Sequence, residues 1–235
     1  MLLFFAISEF IEKNKSMIVI TLNIPKYFAI FGVVKIQIIV EDQFQDLFKI
    51  TGNQKKLEVG CILIAEPFLK GEYFSRSVIF MVEYDKKGSI GFVLNKPMKF
   101  TTSDLVTELV GMKLPVYTGG PVEINQLYYF HRHPELDGAL YIANGIYWGG
   151  NFEMLTSMLK AGKILPNEIR FFAGYSGWEA KQLESELKED SWIIGNIDNK
   201  RFFDYPHEKL WETSMSELGG CCRILANFPQ DPILN

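Results

Sequence analysis

The chain has 235 residues, 48% of them hydrophobic, so it is long and apolar enough to bury a sizeable core and too hydrophobic to be a disordered protein. Its formal net charge is −4 and it has no block of clustered Lys and Arg, which disfavours direct binding to nucleic-acid phosphates. Three cysteines without the spacing of a disulfide framework favour a reducing compartment, so the expected location is the cytoplasm.

Residues 1–56 are predicted to be an N-terminal extension of the main domain. Residues 1–40 are rich in Ile, Phe, Lys and Asn, which AT-rich codons encode, so an over-extended start site is the preferred interpretation. The alternative is a genuine extension, because residues 35–40 alternate apolar and polar side chains as an added strand would. Residues 42–49 predict a short amphipathic helix that leads into the domain.

Seven runs rich in Val, Ile, Phe and Tyr predict β-strands from residue 60 onward. Residues 85–88 form a short polar loop that ends in Gly88, which predicts a hairpin and therefore antiparallel pairing. A further strand is predicted at residues 116–118, before a Gly-Gly-Pro turn. The seven runs are Cys61–Ala65, Ser77–Tyr84, Ser89–Asn95, Leu127–His131, Ala139–Ala143, Ile169–Ala173 and Trp192–Ile197.

The first two of four predicted helices are recognised by the residues at their ends. Thr102 or Ser103 begins the first helix, and Gly111 ends it in the left-handed conformation that glycine favours. Asn151 caps the second helix, which Gly162 ends.

The other two predicted helices lie in the C-terminal third of the chain. Ser176 and Glu179 have the spacing of a capping box, which predicts a helix that begins at Trp178. Pro206 in the first turn and Gly219 at the end bound the last helix. Hairpins mixed with about four flanking helices predict the α+β class rather than a doubly wound parallel sheet.

Five short sequences in the chain occur in the order of a known bacterial family: GCILIAEP at 60–67, GSIGFVLNKP at 88–97, VYTGGPV at 116–122, RFFAGYSGWEAKQLESEL at 170–187 and DPILN at 231–235. Together they resemble the AlgH/YqgE family, also called UPF0301, over residues 57–235. The resemblance implies a single α+β domain whose mixed, largely antiparallel sheet curls into a partial barrel. It implies a regulator of transcription that acts indirectly, and no defined reaction.

Complete motifs for catalysis or cofactor binding are missing from the sequence, and no cofactor is predicted. Ser176 lies in a string that approaches a nucleophile elbow, but Trp178 replaces its last glycine and no His is near, so no catalytic residue is assigned. His131 and His133 could begin a metal site with Asp137. Hydrogen bonds from these histidines to the backbone are the favoured interpretation, and no metal site is predicted.

A ligand-binding site is predicted where two glycine turns would meet. Gly119 and Gly120 make a sharp turn after a strand. Gly174 and Gly177 flank the predicted helix start at Trp178, whose first amides would lack partners and attract an anion. The alternative use of these glycines is architectural, as places where strands cross closely.

Polar side chains in the same strings complete the candidate site. Arg76 and Arg170 could bind a carboxylate or phosphate, or each could pair an internal carboxylate such as Glu186. Glu186 and Gln182 lie on a polar stripe of the predicted helix. The candidate ligand-binding residues are Arg76, Asn95, Gly119, Gly120, His131, Arg170, Gly174, Gly177, Gln182 and Glu186.

Two functional hypotheses follow from these residues. The favoured one is a non-enzymatic regulatory protein that binds a protein or a small anionic ligand through the glycine turns. The alternative is a cytosolic enzyme that acts on a small anionic or nucleotide-like substrate, with Arg170, Glu186 and His131 as anion clamp and acid–base groups. No direct nucleic-acid partner and no membrane partner are expected.

Overall fold

The computed structural model describes residues 55–71 and 73–227 of the chain. Most of the predicted extension, including the helix at 42–49, lies outside these residues, as does the terminal DPILN string at 231–235. Among the residues that are described, no helix combines the length and the apolar character that crossing a bilayer requires.

The sheet of the described region contains ten strands, namely β1 (Cys61–Ala65), β2 (Val78–Asp85), β3 (Gly88–Val93), β4 (Pro97–Thr101), β5 (Pro115–Thr118), β6 (Val122–His131), β7 (Leu140–Ala143), β8 (Ile146–Trp148), β9 (Ile169–Glu179) and β10 (Trp192–Asn196). The strand order is β10-β1-β2-β3-β9-β6-β8-β7, with β5 paired to both β9 and β4. The pairing of β5 with β9 is parallel, and the others are antiparallel.

Six α-helices occur in the described part of the chain, namely α1 (Thr102–Leu105), α2 (Phe152–Lys160), α3 (Gln182–Lys188), α4 (Asn199–Asp204), α5 (His207–Glu217) and α6 (Gly220–Leu225). The sequence predicts about four helices, and α4 and α6, with six residues each, are too short to show a helical period. The predicted α+β class and the curled, largely antiparallel sheet are confirmed.

Local sequence explains the β2–β3 hairpin and the capping of α2. Asp85 Oδ1 accepts the main-chain N–H of Lys87 at 2.6 Å and of Gly88 at 3.2 Å, which closes the turn between β2 and β3 as predicted. Asn151 Oδ1 accepts the N–H of Met154 at 2.9 Å, which caps α2 as predicted.

Strand β9 separates two hydrophobic cores, because successive side chains point to opposite faces of a sheet. Phe171 packs in a cluster with Leu155 of α2 on one face. Phe172 faces the inside of the curled sheet, where its ring contacts Phe130 edge-on, and Phe130 in turn contacts Phe202 of α4. The inner core is therefore built largely from aromatic rings.

The curl brings the two ends of the sheet close to each other. Asn144, in the turn between β7 and β8, donates from Nδ2 to the carbonyl of Ile197 at 2.9 Å, just after β10. Gly60, immediately before β1, has φ +89°, and a Cβ there would lie 2.4 Å from that of Ala143. A larger residue at position 60 would therefore prevent this approach of β7.

The predicted helix start at Trp178 is wrong, because β9 continues to Glu179 and the helix itself, α3, begins at Gln182. Trp178 pairs with Ser89 and Ser176 pairs with Gly91, both on β3. Ser176 therefore does not cap a helix, and its Oγ donates to the carbonyl of Gly119 at 3.0 Å. Strand pairing across the chain outweighed the local capping signal.

Candidate functional site

The turn predicted at Gly119 and Gly120 is a close crossing of main chains. The amide of Gly119 donates to the carbonyl of Ala173 at 2.8 Å, and its own carbonyl accepts the N–H of Val93 at 2.9 Å. A Cβ on Gly119 would lie 2.1 Å from the carbonyl oxygen of Gly174, and one on Gly120 would lie 2.3 Å from the main chain of Tyr175. The amide and the carbonyl of Gly119 are thus both bonded within the sheet rather than offered to an anion.

Gly174 and Gly177 have the same predicted role in the sequence analysis, but their surroundings differ in the structure. Gly174 has φ +68°, and a Cβ there would lie 2.6 Å from the carbonyl oxygen of Val122. Gly177 is exposed, pairs with Ile90 on β3, and could carry a Cβ whose closest contact is the ring of Tyr175 at 3.3 Å. We call Gly119, Gly120 and Gly174 the glycine crossing, and Gly177 does not belong to it.

Arg170 is a buried cross-brace of the inner core. Its side chain donates from Nη1 to the carbonyl of Phe202 and from Nη2 to that of Leu94, each at 2.7 Å. The guanidinium carbon lies 4.0 Å from the ring centre of Tyr117. Burial lowers the pKa of Arg170 from its ordinary value. Both hydrogen bonds go to main-chain carbonyls, so the predicted pairing with Glu186 is wrong.

Glu186 is held at the other end of β9. Its Oε2 accepts the indole N–H of Trp178 at 2.9 Å and that of Trp192 at 2.7 Å, and its Oε1 accepts an amide hydrogen of Gln182 at 2.9 Å. Residues 170 and 178 are eight positions apart along β9, which corresponds to a distance on the order of 20 Å. The structure therefore does not bring Arg170 and Glu186 to one site.

His131 is fully buried, with 0% exposure, and both ring nitrogens have main-chain partners. Nε2 lies 2.8 Å from the carbonyl of Gly149, and Nδ1 accepts the N–H of His133 at 3.1 Å, so the proton is on Nε2 of a neutral ring. Burial lowers the pKa of His131. Phe130 pairs with Arg170, so His131 and Arg170 lie on opposite faces of the sheet.

Arg76 and Asn95 are two candidate residues that the structure does bring together. Asn95 donates from Nδ2 to the carbonyl of Arg76 at 2.9 Å. The neighbouring Lys96 donates from Nζ to the carbonyl of Ser75 at 2.7 Å. Burial lowers the pKa of Lys96, and the nearby charge of Arg76 lowers it further. Two cationic side chains therefore lie close together at the start of β2.

A surface cleft of about 460 Å³ opens beside the end of β8. We call it the aromatic cleft. Ring contacts connect the cleft to the inner core. The ring centres of Trp148 and Phe130 are 6.2 Å apart, and the angle between the ring planes is 14°. The ring centre of Tyr128 lies 6.4 Å from that of Trp148, and both residues are only partly buried. Its walls include Leu127, Tyr128, Leu140, Trp148, Gly150 and Phe152.

Polar and apolar groups at the mouth of the aromatic cleft are open to solvent. The hydroxyl of Tyr128 donates to Oε2 of Glu123 at 2.6 Å. Burial, and then this carboxylate, raise the pKa of Tyr128, so the phenol stays protonated. Leu140 is 58% exposed and its neighbour Tyr141 is 62% exposed. The cleft thus combines aromatic walls with an exposed apolar border.

Comparison with known proteins decides the family of the chain. The family model described as AlgH-like matches residues 62–223. The chain belongs to this AlgH-like family. A UPF0301 protein of Chlorobium limicola is 40% identical over 181 residues, which cover 77% of this chain and 97% of that protein. A UPF0301 protein of Bacteroides fragilis is 37% identical over 191 residues, which cover 81% and 97%.

Two solved structures resemble the AlgH-like fold described above. The solution structure of the AlgH protein from Pseudomonas aeruginosa has a TM-score of 0.58 at 26% identity and covers 75% of this chain and 97% of its own. A crystal structure of a protein from Corynebacterium diphtheriae has a TM-score of 0.64 at 19% identity, with 77% and 97% covered, and shows likeness of fold alone. The resemblance to the AlgH/YqgE family is confirmed.

The aromatic cleft lies outside the sequence strings by which the AlgH-like family is recognised. Its lining residues fall between Leu127 and Phe152, whereas the strings in the described region cover 60–67, 88–97, 116–122 and 170–187. Sequence reasoning therefore missed the cleft. A usable signal was present, since an aromatic strand end is followed by Gly149 and Gly150 in a stretch with few charges.

Proposed function

We propose that this AlgH-like protein is a non-enzymatic regulatory protein of the bacterial cytoplasm that binds a partner protein at the aromatic cleft. The observation that carries the proposal is the position of Tyr128 and Trp148, which are partly exposed in a surface cleft bordered by the exposed Leu140. Tyr and Trp side chains supply much of the binding energy of protein interfaces, because they bury large areas at a small entropic cost.

The hydrogen bonds and positions of the other candidate residues support a binding function rather than catalysis. The alternative, an enzyme on an anionic or nucleotide-like substrate, needs Arg170, Glu186 and His131 in one pocket. Each of them is bonded to main-chain or indole groups, and they occupy different ends or faces of the sheet. The net charge of −4 supports an effect on transcription that passes through a protein partner rather than through contact with DNA.

The proposal is tested with a double variant on β7, Leu140→Ser in the cleft lining and Tyr141→Ser next to it on the opposite face of the strand. The matched control is Phe100→Ser with Val110→Ser, which removes two side chains that are 53% and 70% exposed elsewhere. Each tagged protein is used to purify partners from lysate of its own bacterium, and affinity is then measured with the purified partner. We expect the wild-type and control proteins to retain a partner that the cleft variant loses. Identical partners with all three proteins would contradict the proposal.

A small anionic ligand is a second candidate, favoured by the closeness of Lys96 and Arg76. Glu212 offsets part of the Arg76 charge, and an anion between the two cations would offset their repulsion further. Thermal unfolding with phosphate or carboxylates should show stabilisation that Lys96→Met removes and the exposed control Lys99→Met keeps. Stabilisation that survives Lys96→Met would place the anion elsewhere.

A further inference from the structure

The aromatic cleft lies in an acidic part of the chain. Residues 114–159 contain a single basic side chain other than histidine, Arg132. Its Nη2 is 3.1 Å from Oδ2 of Asp204, so its charge is already paired. The acidic residues of the same stretch are Glu123, Glu135, Asp137 and Glu153.

Three of these carboxylates are next to lining residues of the cleft. Glu123 accepts the hydroxyl hydrogen of Tyr128 at 2.6 Å. Asp137 precedes the lining residue Gly138, and Glu153 follows Phe152 in the first turn of α2. All three are exposed, so burial does not neutralise their charges; Glu123 contacts a lining side chain directly, and Asp137 and Glu153 are adjacent in sequence to lining residues.

Aromatic faces strengthen this preference for positive charge. The rings of Tyr128 and Trp148 present the negative side of their quadrupole to a cation that lies over them. The protein uses the same contact internally, since the guanidinium carbon of Arg170 lies 4.0 Å from the ring centre of Tyr117. Acidic rim and aromatic wall therefore favour the same ligand charge.

The neighbouring strand favours an extended ligand. In the described strand order, β7 is the terminal strand, and its partner on the inner side is β8. Leu140 of β7 pairs with Trp148 of β8, so the beginning of this outer edge is adjacent to the cleft wall, whereas its end at Ala143 is covered by Gly60. The exposed Leu140 offers an apolar contact on the cleft face of this edge, and the exposed Tyr141 offers one on the opposite face. Exposed strand edges with apolar side chains are recognised by extended peptide segments.

We infer that the aromatic cleft binds an extended segment of a partner protein in which Lys or Arg side chains alternate with aliphatic ones. The cationic groups lie over Tyr128 and Trp148 and face Asp137 and Glu153, and the aliphatic groups contact Leu140. This inference rests on the proposed function, because it specifies the partner of the same cleft.

Three fluorescein-labelled peptides test the charge preference directly. They share alternating Leu residues and carry Arg, neutral citrulline or Glu at the positions between. Fluorescence anisotropy should show that the Arg peptide binds the full-length protein about tenfold or more tightly than the citrulline peptide, and that added salt weakens its binding. The Glu peptide should bind more weakly still.

Paired variants locate the binding. Asp137→Asn with Glu153→Gln should weaken the Arg peptide about fivefold, while the control Glu58→Gln with Glu189→Gln, which removes two exposed carboxylates elsewhere, should leave it unchanged. Leu140→Ser with Tyr141→Ser should weaken all three peptides.

The outcomes separate this inference from the proposed function. Equal affinity for the Arg and citrulline peptides, lost on Leu140→Ser with Tyr141→Ser, would overturn the charge preference and leave protein binding at the cleft standing. The inference would be overturned if neither pair of cleft substitutions changed the affinity for the peptides, or if no peptide bound at all. Sedimentation showing a wild-type dimer that only the Leu140→Ser, Tyr141→Ser variant dissociates would also overturn it, because a second copy would then occupy the cleft.

Discussion

The glycine crossing and the aromatic cleft lie on the same curled sheet and use their residues in opposite ways. At the crossing, main chains approach so closely that a Cβ on Gly119 would lie 2.1 Å from a carbonyl oxygen. At the cleft, large rings such as Trp148 remain partly open to solvent. The sequence strings that identify the family include the glycine crossing and omit the aromatic cleft. In this protein, the strings therefore contain residues that the fold requires and not the residues of the proposed binding surface.

The largest expected effect is at the crossing. Gly119→Ala should destabilise the protein by more than about 3 kcal/mol or prevent folding, because the added Cβ meets main-chain atoms that belong to β9 and cannot move independently. Urea unfolding followed by circular dichroism measures the change. Gly177→Ala is the matched control on the same strand, and it should cost less than about 1 kcal/mol. Similar losses for both variants would show that steric crowding at Gly119 is not the reason for its glycine.

The second prediction concerns the buried arginine beside the crossing. Arg170→Met should cost about 3 kcal/mol, because the carbonyls of Leu94 and Phe202 lose their donors inside the core. Urea unfolding with the exposed control Lys99→Met, which should have little effect, measures it. A variant Arg170→Met as stable as wild type would revive the hypothesis that this side chain is reserved for a ligand.

The third prediction uses the lowered pKa of His131. The unfolded chain takes up a proton near the ordinary histidine pKa of 6.5, whereas burial keeps the folded ring neutral to lower pH. Stability should therefore fall as pH drops below about 6.5, by at most about 1 kcal/mol over the next pH unit for this one proton. The difference in unfolding free energy between wild type and His131→Gln, measured from pH 7.5 downward, isolates this contribution. Parallel curves for the two proteins would contradict it.

The smallest stability effect is expected at the cleft. Leu140→Ser with Tyr141→Ser should change the free energy of unfolding by no more than about 0.5 kcal/mol, because both side chains are more than half exposed. Thermal and urea unfolding of the double variant check this. A large loss of stability would mean that these residues serve the fold, and the contrast between the two regions would disappear.

Local signals predicted the elements that depend on neighbouring residues. The Asp85 turn, the Asn151 cap and the apolar run of β1 all formed where expected, since their partners are a few positions away or their burial is nearly complete. The helix start at Trp178 failed for the opposite reason. Its competitor was the pairing of Trp178 with Ser89, which no local pattern reveals.

The candidate site shows the same division. Arg76 and Asn95, two of the ten candidate residues, do lie together, since Asn95 Nδ2 donates to the Arg76 carbonyl beside the hairpin of β2 and β3. The partners of Arg170, by contrast, are separated from it by 76 and 32 positions, and both are main-chain carbonyls that carry no sequence signature. A side chain that binds backbone cannot be assigned its partner from residue types.

The sequence by itself determined the family, the α+β class and the positions of most strands, because these follow from the hydrophobic pattern, the turn residues and short characteristic strings of neighbouring residues. Only the tertiary structure decided that the glycines serve a crossing, that Arg170, Glu186 and His131 are bonded internally, and that Tyr128 and Trp148 share a cleft. The physical reason is that closeness between distant segments is set by strand pairing and sheet curvature, which depend on the whole chain at once.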